Sequence, residues 1–216
     1  NNSNTGINVK IVDFNGSNNI TTITANQYKN AALTAGVTNA TIYVTSAVPI
    51  DGSGALAGVY AAFAENGETL NQSQVTAAQD EMSTLSDITQ ANKGTSGYTD
   101  SQLNNAVTGA KKDMANKGDN LTVNQITNIV NNQLEQNNLT TIINDNQKTQ
   151  IINLLVKIQD SGALKSDDFK NQAGKLMDNI QSNAKNVFDK LNTESNRNFI
   201  QKLFDSIGNF FKNLFG

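Results

Sequence analysis

Residues 52–57, GSGALA, carry the G-x-G-x-x-A spacing with which a strand-to-helix turn cradles a dinucleotide pyrophosphate. They stand between a strand-like run and a helix-like one. That chemistry needs its first glycine at the immediate end of the strand, and here Pro49, Ile50 and Asp51 intervene. No second nucleotide-binding half follows. The spacing therefore predicts a capped helix start, with Ser53 as the cap, and no activity that depends on these glycines. An anion resting on the N–H groups of that helix start is the remaining chemistry.

Paired carboxylates are the other arrangement with catalytic potential, because two of them flanking a glycosidic bond can hydrolyse it. Glu65 and Glu68 bracket a turn, and Asp167 and Asp168 open a helix. No aromatic platform for sugars accompanies them, since tryptophan is absent and the tyrosines number 4. A solvated loop accounts for the first pair, and complementation of the helix dipole for the second.

Composition narrows the chemistry further. The chain of 216 residues has no cysteine and no histidine. Thiolate and imidazole metal sites, Cys/His catalysis and Ser-His-Asp triads thus have nothing to be built from. An oxygen-only calcium site is open in principle, but no D-x-[DN]-x-[DN]-G loop occurs. Net charge is −3 and Arg197 is the only arginine, which argues against nucleic-acid phosphates as a target. No cofactor, no metal and no nucleic acid is expected. Asparagine fills about a sixth of the positions, far above ordinary usage. A cysteine-free, Lys/Asn-rich polar chain suits an exported protein of an AT-rich Gram-positive bacterium. An opening NNSNTG without methionine reads as processed or trimmed.

The elements that would position any site are legible from periodicity. Ile7, Val9 and Ile11 alternate with Asn8 and Lys10, which predicts a half-buried strand over 7–14. Asn15-Gly16 predicts a tight hairpin returning through Ile20 to Ile23. Thr24 and Gln27 have capping-box spacing, and Gly36 with Val37 reads as a left-handed helix end. A second strand is expected over 40–48 and a helix over ALAGVYAAFAE. Thr69/Gln72, Thr99/Gln102, Thr122/Gln125 and the weaker Asn144/Gln147 then punctuate a helical series. Its stripes are Val75, Ala78, Met82, Leu85; Leu103, Val107, Ala110, Met114; and Val123, Ile126, Val130, Leu134. Ile151, Leu154, Leu155 and Ile158 lie on the most apolar helix, expected at the bundle centre. After a boundary near 160–168, Phe169, Ala173, Leu176, Ile180, Ala184, Val187 and Leu191 predict one long helix, as an arm or packed back on the bundle.

The last eighteen residues, FIQKLFDSIGNFFKNLFG, are the greasiest stretch, with five of the 9 phenylalanines. At about 100° per residue, Phe199, Ile200, Leu203, Phe204, Ile207, Phe210, Phe211, Leu214 and Phe215 fall within one arc of roughly 160°. Every polar residue and glycine falls outside it. Nine such side chains, at about 1.5–3 kcal/mol each, give a gross burial drive above roughly 10 kcal/mol. The face must meet the bundle, another copy, or a lipid surface. The polar side offers Lys202, Asp205 and Lys212, so electrostatic attraction to anionic lipid is weak.

The stretch NITTITANQYKNAALTAGVTNATIYVTSAVPIDGSGALAGVYAAF, then LTVNQITNIVNNQL and the ending NFFKNLFG, resembles the YpuA-like family of uncharacterised secreted proteins of Gram-positive bacteria. The resemblance implies export and an envelope setting and supplies no catalytic residues. It also implies an earlier strand–helix–strand segment that is missing here, leaving a sheet edge open to strand addition.

The expected fold is α+β and mostly helical: a small N-terminal β-sheet with two helices, then a helical bundle and a C-terminal amphipathic helix. The expected division is 1–68, 69–160 and 161–216. The expected function is that of an exported, non-enzymatic cell-envelope protein, attached to a membrane surface or protein partner through the nine tail residues. The alternatives are a self-assembling homo-oligomeric surface subunit and, behind it, a carboxylate-dependent wall-glycan enzyme.

Overall fold

A computed structural model describes residues 6–37, 39–65, 70–185 and 187. The alternating run forms β1, Ile7–Ile11, which pairs in parallel with β2, Ala40–Val44, in register from Ile7–Ala40 to Ile11–Val44. One sheet face buries Ile7, Val9, Ile42 and Val44. The other exposes Asn8, Thr41 and Tyr43, with the Lys10 ammonium 5.7 Å from the centre of the Tyr43 ring.

The crossover helix α1, Ala25–Thr34, has both halves of the Thr24/Gln27 capping box. Past its end, Gly36 adopts φ +91° and the Val37 N–H donates to Ala32. This is a Schellman end, and it turns Val37 into the core.

The hairpin expectation is corrected. Asn15 and Gly16 do take positive φ, but the turn closes a single bridge between Phe14 and Ser17. Asn18 and Asn19 then divert the chain: one side chain accepts from Ile20 N–H, the other donates to the Ser46 carbonyl. Ile20 bridges Ile50 instead of β1, and both Ile20 and Ile23 are buried. β2 is shorter than expected because the Ser46 hydroxyl bonds both backbone groups of Val48.

Helix α2, Ala55–Glu65, begins within GSGALA. Ser53 does not serve as its cap; the hydroxyl donates to Asp51. Gly52, at φ +96°, is needed for packing: a Cβ there would run into the Tyr28 hydroxyl and Ile20. The Tyr28 hydroxyl donates to the Gly52 carbonyl at 2.6 Å.

The bundle consists of α3 (Gln72–Asn92), α4 (Asp100–Lys117), α5 (Val123–Gln136), α6 (Asp145–Asp160) and α7 (Asp167–Asn183). Thr122/Gln125 and Asn144/Gln147 form full capping boxes. Thr99 caps α4, but the Gln102 side chain accepts from the Thr99 hydroxyl in place of its backbone N–H and donates to the Asn137 carbonyl. α3 is capped by Asn71, and Thr69 lies outside the described residues. The expected stripes are buried except for Val123, which is 57% exposed in the first turn of α5.

Two further expectations change. The central helix is α4, which packs on α1, α3, α5 and α7, whereas α6 packs on α3 and α5. And α7 is interrupted after Asn183, where Ala184 leaves helical geometry, while Lys185 and Val187 are again helical. It lies back on α4 and α1, burying Phe169, Ala173, Leu176 and Ile180. Leu191 lies outside the described residues. The connection from α6 is one turn of 3-10 helix, Ala163–Lys165, with Ala163 and Leu164 buried. A single cluster of buried side chains runs from Ile7 to Ile180. The architecture is α+β and mostly helical.

Candidate functional site

The carboxyl end of β1, the start of α1, the end of α3 and the start of α4 meet around a cleft of about 510 Å³. In α/β folds the carboxyl ends of parallel strands are the usual place for a ligand, because the loops diverge there. Ile11, Ile20 and Ile23 supply its apolar part, and Thr24, Thr89, Lys93, Tyr98 and Asp100 its polar part. The GTSGY loop shapes one wall, with Gly94 and Gly97 at positive φ.

Hydrogen bonds stitch these elements together. The Thr89 and Tyr98 hydroxyls lie 2.9 Å apart, and the Gln27 amide donates to Thr89 at 3.2 Å. Asp100 accepts from the Thr24 hydroxyl at 3.0 Å, the Asn26 amide at 3.4 Å and the Asn104 amide at 2.9 Å.

The polar seam continues inward. Asn30 donates to Asn104 and accepts from Thr108. Below it, the Lys111 ammonium donates to Glu81 Oε1 at 2.7 Å, Thr34 Oγ1 at 3.1 Å and the Asn30 carbonyl at 3.1 Å. Three ammonium protons meet three acceptors, which is the condition for keeping a charge where both side chains are 0% exposed. Burial pushes the Lys111 pKa down, and Glu81 offsets part of that.

Burial also raises Asp100 to about 6, against the opposing hydrogen bonds from Thr24, Asn26 and Asn104. The folded state therefore holds this proton more tightly than the unfolded chain. Stability from this group is greatest below about pH 4 and is lost as pH rises through 6, by up to about 3 kcal/mol. Asp100→Asn is expected to flatten that part of the profile. Urea midpoints of the two chains should converge at pH 4 and separate by pH 7, with the variant the more stable. Parallel profiles across that window would refute the assignment.

The seam has the character of a packing device. Among the described residues no three carboxylates gather to hold a metal ion. Asp100 is engaged by the Asn26 and Asn104 amides and the Thr24 hydroxyl. Asp167 and Asp168 sit in the first turn of α7, where Asp167 pairs with Lys170, and they complement the helix dipole. Glu65 closes α2, and Glu68 lies outside the described residues.

The nine tail residues Phe199, Ile200, Leu203, Phe204, Ile207, Phe210, Phe211, Leu214 and Phe215 also lie outside the described residues. Sequence reasoning missed the cleft, since Thr24, Thr89, Tyr98 and Asp100 converge from separated segments. A signal for the ion pair was present: Lys111 stands four residues from Val107 on a buried stripe, and Glu81 adjoins Met82.

The model of a family described as protein of unknown function (DUF1002) matches residues 1–176. The chain belongs to this family. Over 190 residues it is 26% identical to "Uncharacterized protein YpuA" of Bacillus subtilis (strain 168), a span that covers 87% of this chain and 59% of that protein. The chain thus spans less than two thirds of the relative's length. No solved structure matches it. The family read from the strand–Pro–Gly–Ala-Leu stretch is the one found, and the tail lies beyond its matched span.

Proposed function

We propose that this is an exported, non-enzymatic protein of the cell envelope whose C-terminal segment, Phe199–Phe215, attaches it to a lipid surface. One observation carries the reading: the undivided apolar arc of nine large side chains in an otherwise polar chain. The body supports it from the other side. Among the described residues, the buried side chains from Ile7 to Ile180 form one cluster of their own, which supports a body that folds around its own core. No described helix is long and apolar enough to cross a membrane. Gly208, on the polar side of the tail, weakens the isolated helix by about 1 kcal/mol relative to alanine, which favours folding on contact. Export rests on the cysteine-free, lysine- and asparagine-rich composition and the family resemblance.

A second reading, self-assembly by strand addition, is favoured by the two-stranded sheet, in which each strand has one side without a β-strand neighbour among the described residues. Removal of residues 199–216 separates the two. The expected result is an intact helical circular-dichroism spectrum with loss of flotation on phosphatidylglycerol/phosphatidylcholine vesicles. A shortened chain that unfolds would make the tail part of the core. One that still floats would put attachment elsewhere, and sedimentation of a tail-independent oligomer would favour strand addition.

A further inference from the structure

Among the described residues, four of the six exposed large apolar side chains lie at one end; the other two are Tyr43 and Val123. Val12 and Phe14 follow β1, while Val48 and Ile50 follow β2, and they are 42%, 42%, 61% and 39% exposed. All four leave the carboxyl ends of the two parallel strands. Val12 follows Ile11 and Ile50 bridges Ile20, so the cluster adjoins the cleft that Ile11 and Ile20 line, outside the lining itself. An apolar-floored cleft of about 510 Å³ thus opens beside a greasy rim.

Helix α7 delivers the chain to this end. It runs antiparallel to α4: Gly174 faces Lys112, and seven residues later the Gln181 amide donates to Asn105. It also runs antiparallel to α1. Phe169 lies with Gly36 around one hollow, and the Lys29 ammonium donates to Asn179. Both pairings bring the end of α7 level with the bonded group Asn26, Asp100 and Ser101, of which Asp100 lines the cleft. From Val187 to Phe199 are twelve residues, which span up to roughly 40 Å when extended. That reach covers the cleft and its rim several times over.

We propose that, in the unattached protein, the apolar face of Phe199–Phe215 packs on the cleft and on Val12, Phe14, Val48 and Ile50, so that the attachment element is stored against its own body. This rests on the tail being the attachment element. A lipid surface then competes with the rim for the same face. The stored form solves a solubility problem common to both partners, because each is a wet apolar surface until it meets the other.

The chain has no tryptophan, so Val48→Trp in the full chain is a single-site reporter, with Phe14→Trp as a second in case the first perturbs folding. In buffer, the indole introduced by Val48→Trp is expected to emit to the blue and resist acrylamide quenching. Adding Phe204→Asp and Phe211→Asp should expose it, as should phosphatidylglycerol/phosphatidylcholine vesicles that the unmodified tail floats on. Reporters that ignore the tail substitutions while flotation persists would overturn the storage contact and leave attachment standing. Tail-dependent protection without flotation would support the contact and overturn attachment. Protection that disappears on hundredfold dilution would assign the tail to a second copy and overturn storage within one chain.

Discussion

Lys111→Met should destabilise the protein by about 3–5 kcal/mol, the largest effect expected of any single substitution outside the glycines. The substitution removes the ammonium from a site where the Glu81 side chain is 0% exposed and leaves that carboxylate with the Thr34 hydroxyl alone. It also strips a donor from the Asn30 carbonyl. The cost comes from the partner left behind, so removing both charges should be far milder. A Lys111→Met/Glu81→Leu chain is expected to recover most of the loss, since paired apolar side chains of similar volume replace buried ion pairs at little penalty. In a chain of this size, the single substitution lowers the melting temperature by about 6–20 °C. A single variant that melts with the parent, or a double variant worse than the single, would show that the pair is not what joins α3 to α4.

The second large effect is expected at Leu155, which is 0% exposed on the face where α6 meets α3 and α5. Leu155→Ala should cost roughly 2–5 kcal/mol, the sum of lost burial and of a cavity that the neighbouring helices only partly close. Val123→Ala provides the contrast: it removes apolar atoms from a side chain already 57% exposed and should leave the urea midpoint nearly unchanged. Equal midpoints for Leu155→Ala and the parent would place α6 outside the core.

Much of the fold was readable along the chain because its signals are local. A capping box needs residues three apart, and Thr24/Gln27, Thr122/Gln125 and Asn144/Gln147 all form one. The stripes of α3 and α4 are buried as their spacing requires. Where the reading slipped, a contact distant in sequence outweighed a local preference. Asn15-Gly16 does make a tight turn, yet Ile20 bridges Ile50 because Asn19, tied to the distant Ser46 carbonyl, diverts the chain from β1. Gln102 has box spacing with Thr99, but the Asn137 carbonyl, 35 residues away, takes its amide.

The glycines of GSGALA show the same division. Their spacing suggests a phosphate turn, whereas the packing assigns Gly52 to the approach of Tyr28. The cleft could not be read in advance, since Thr24, Thr89 and Asp100 become neighbours only when three helices meet.

By itself, then, the sequence determined the family, the helical series with the caps Thr24, Thr99, Thr122 and Asn144, and the divided apolar face of Phe199–Phe215; caps and face are properties of residues within a few turns of one another. The tertiary structure decided that β1 pairs with β2, that α4 rather than α6 lies at the centre, and that Lys111 and Glu81 share a dry site. Those choices depend on which surfaces are buried together. Burial is a property of the whole packed chain, and no window of sequence contains it.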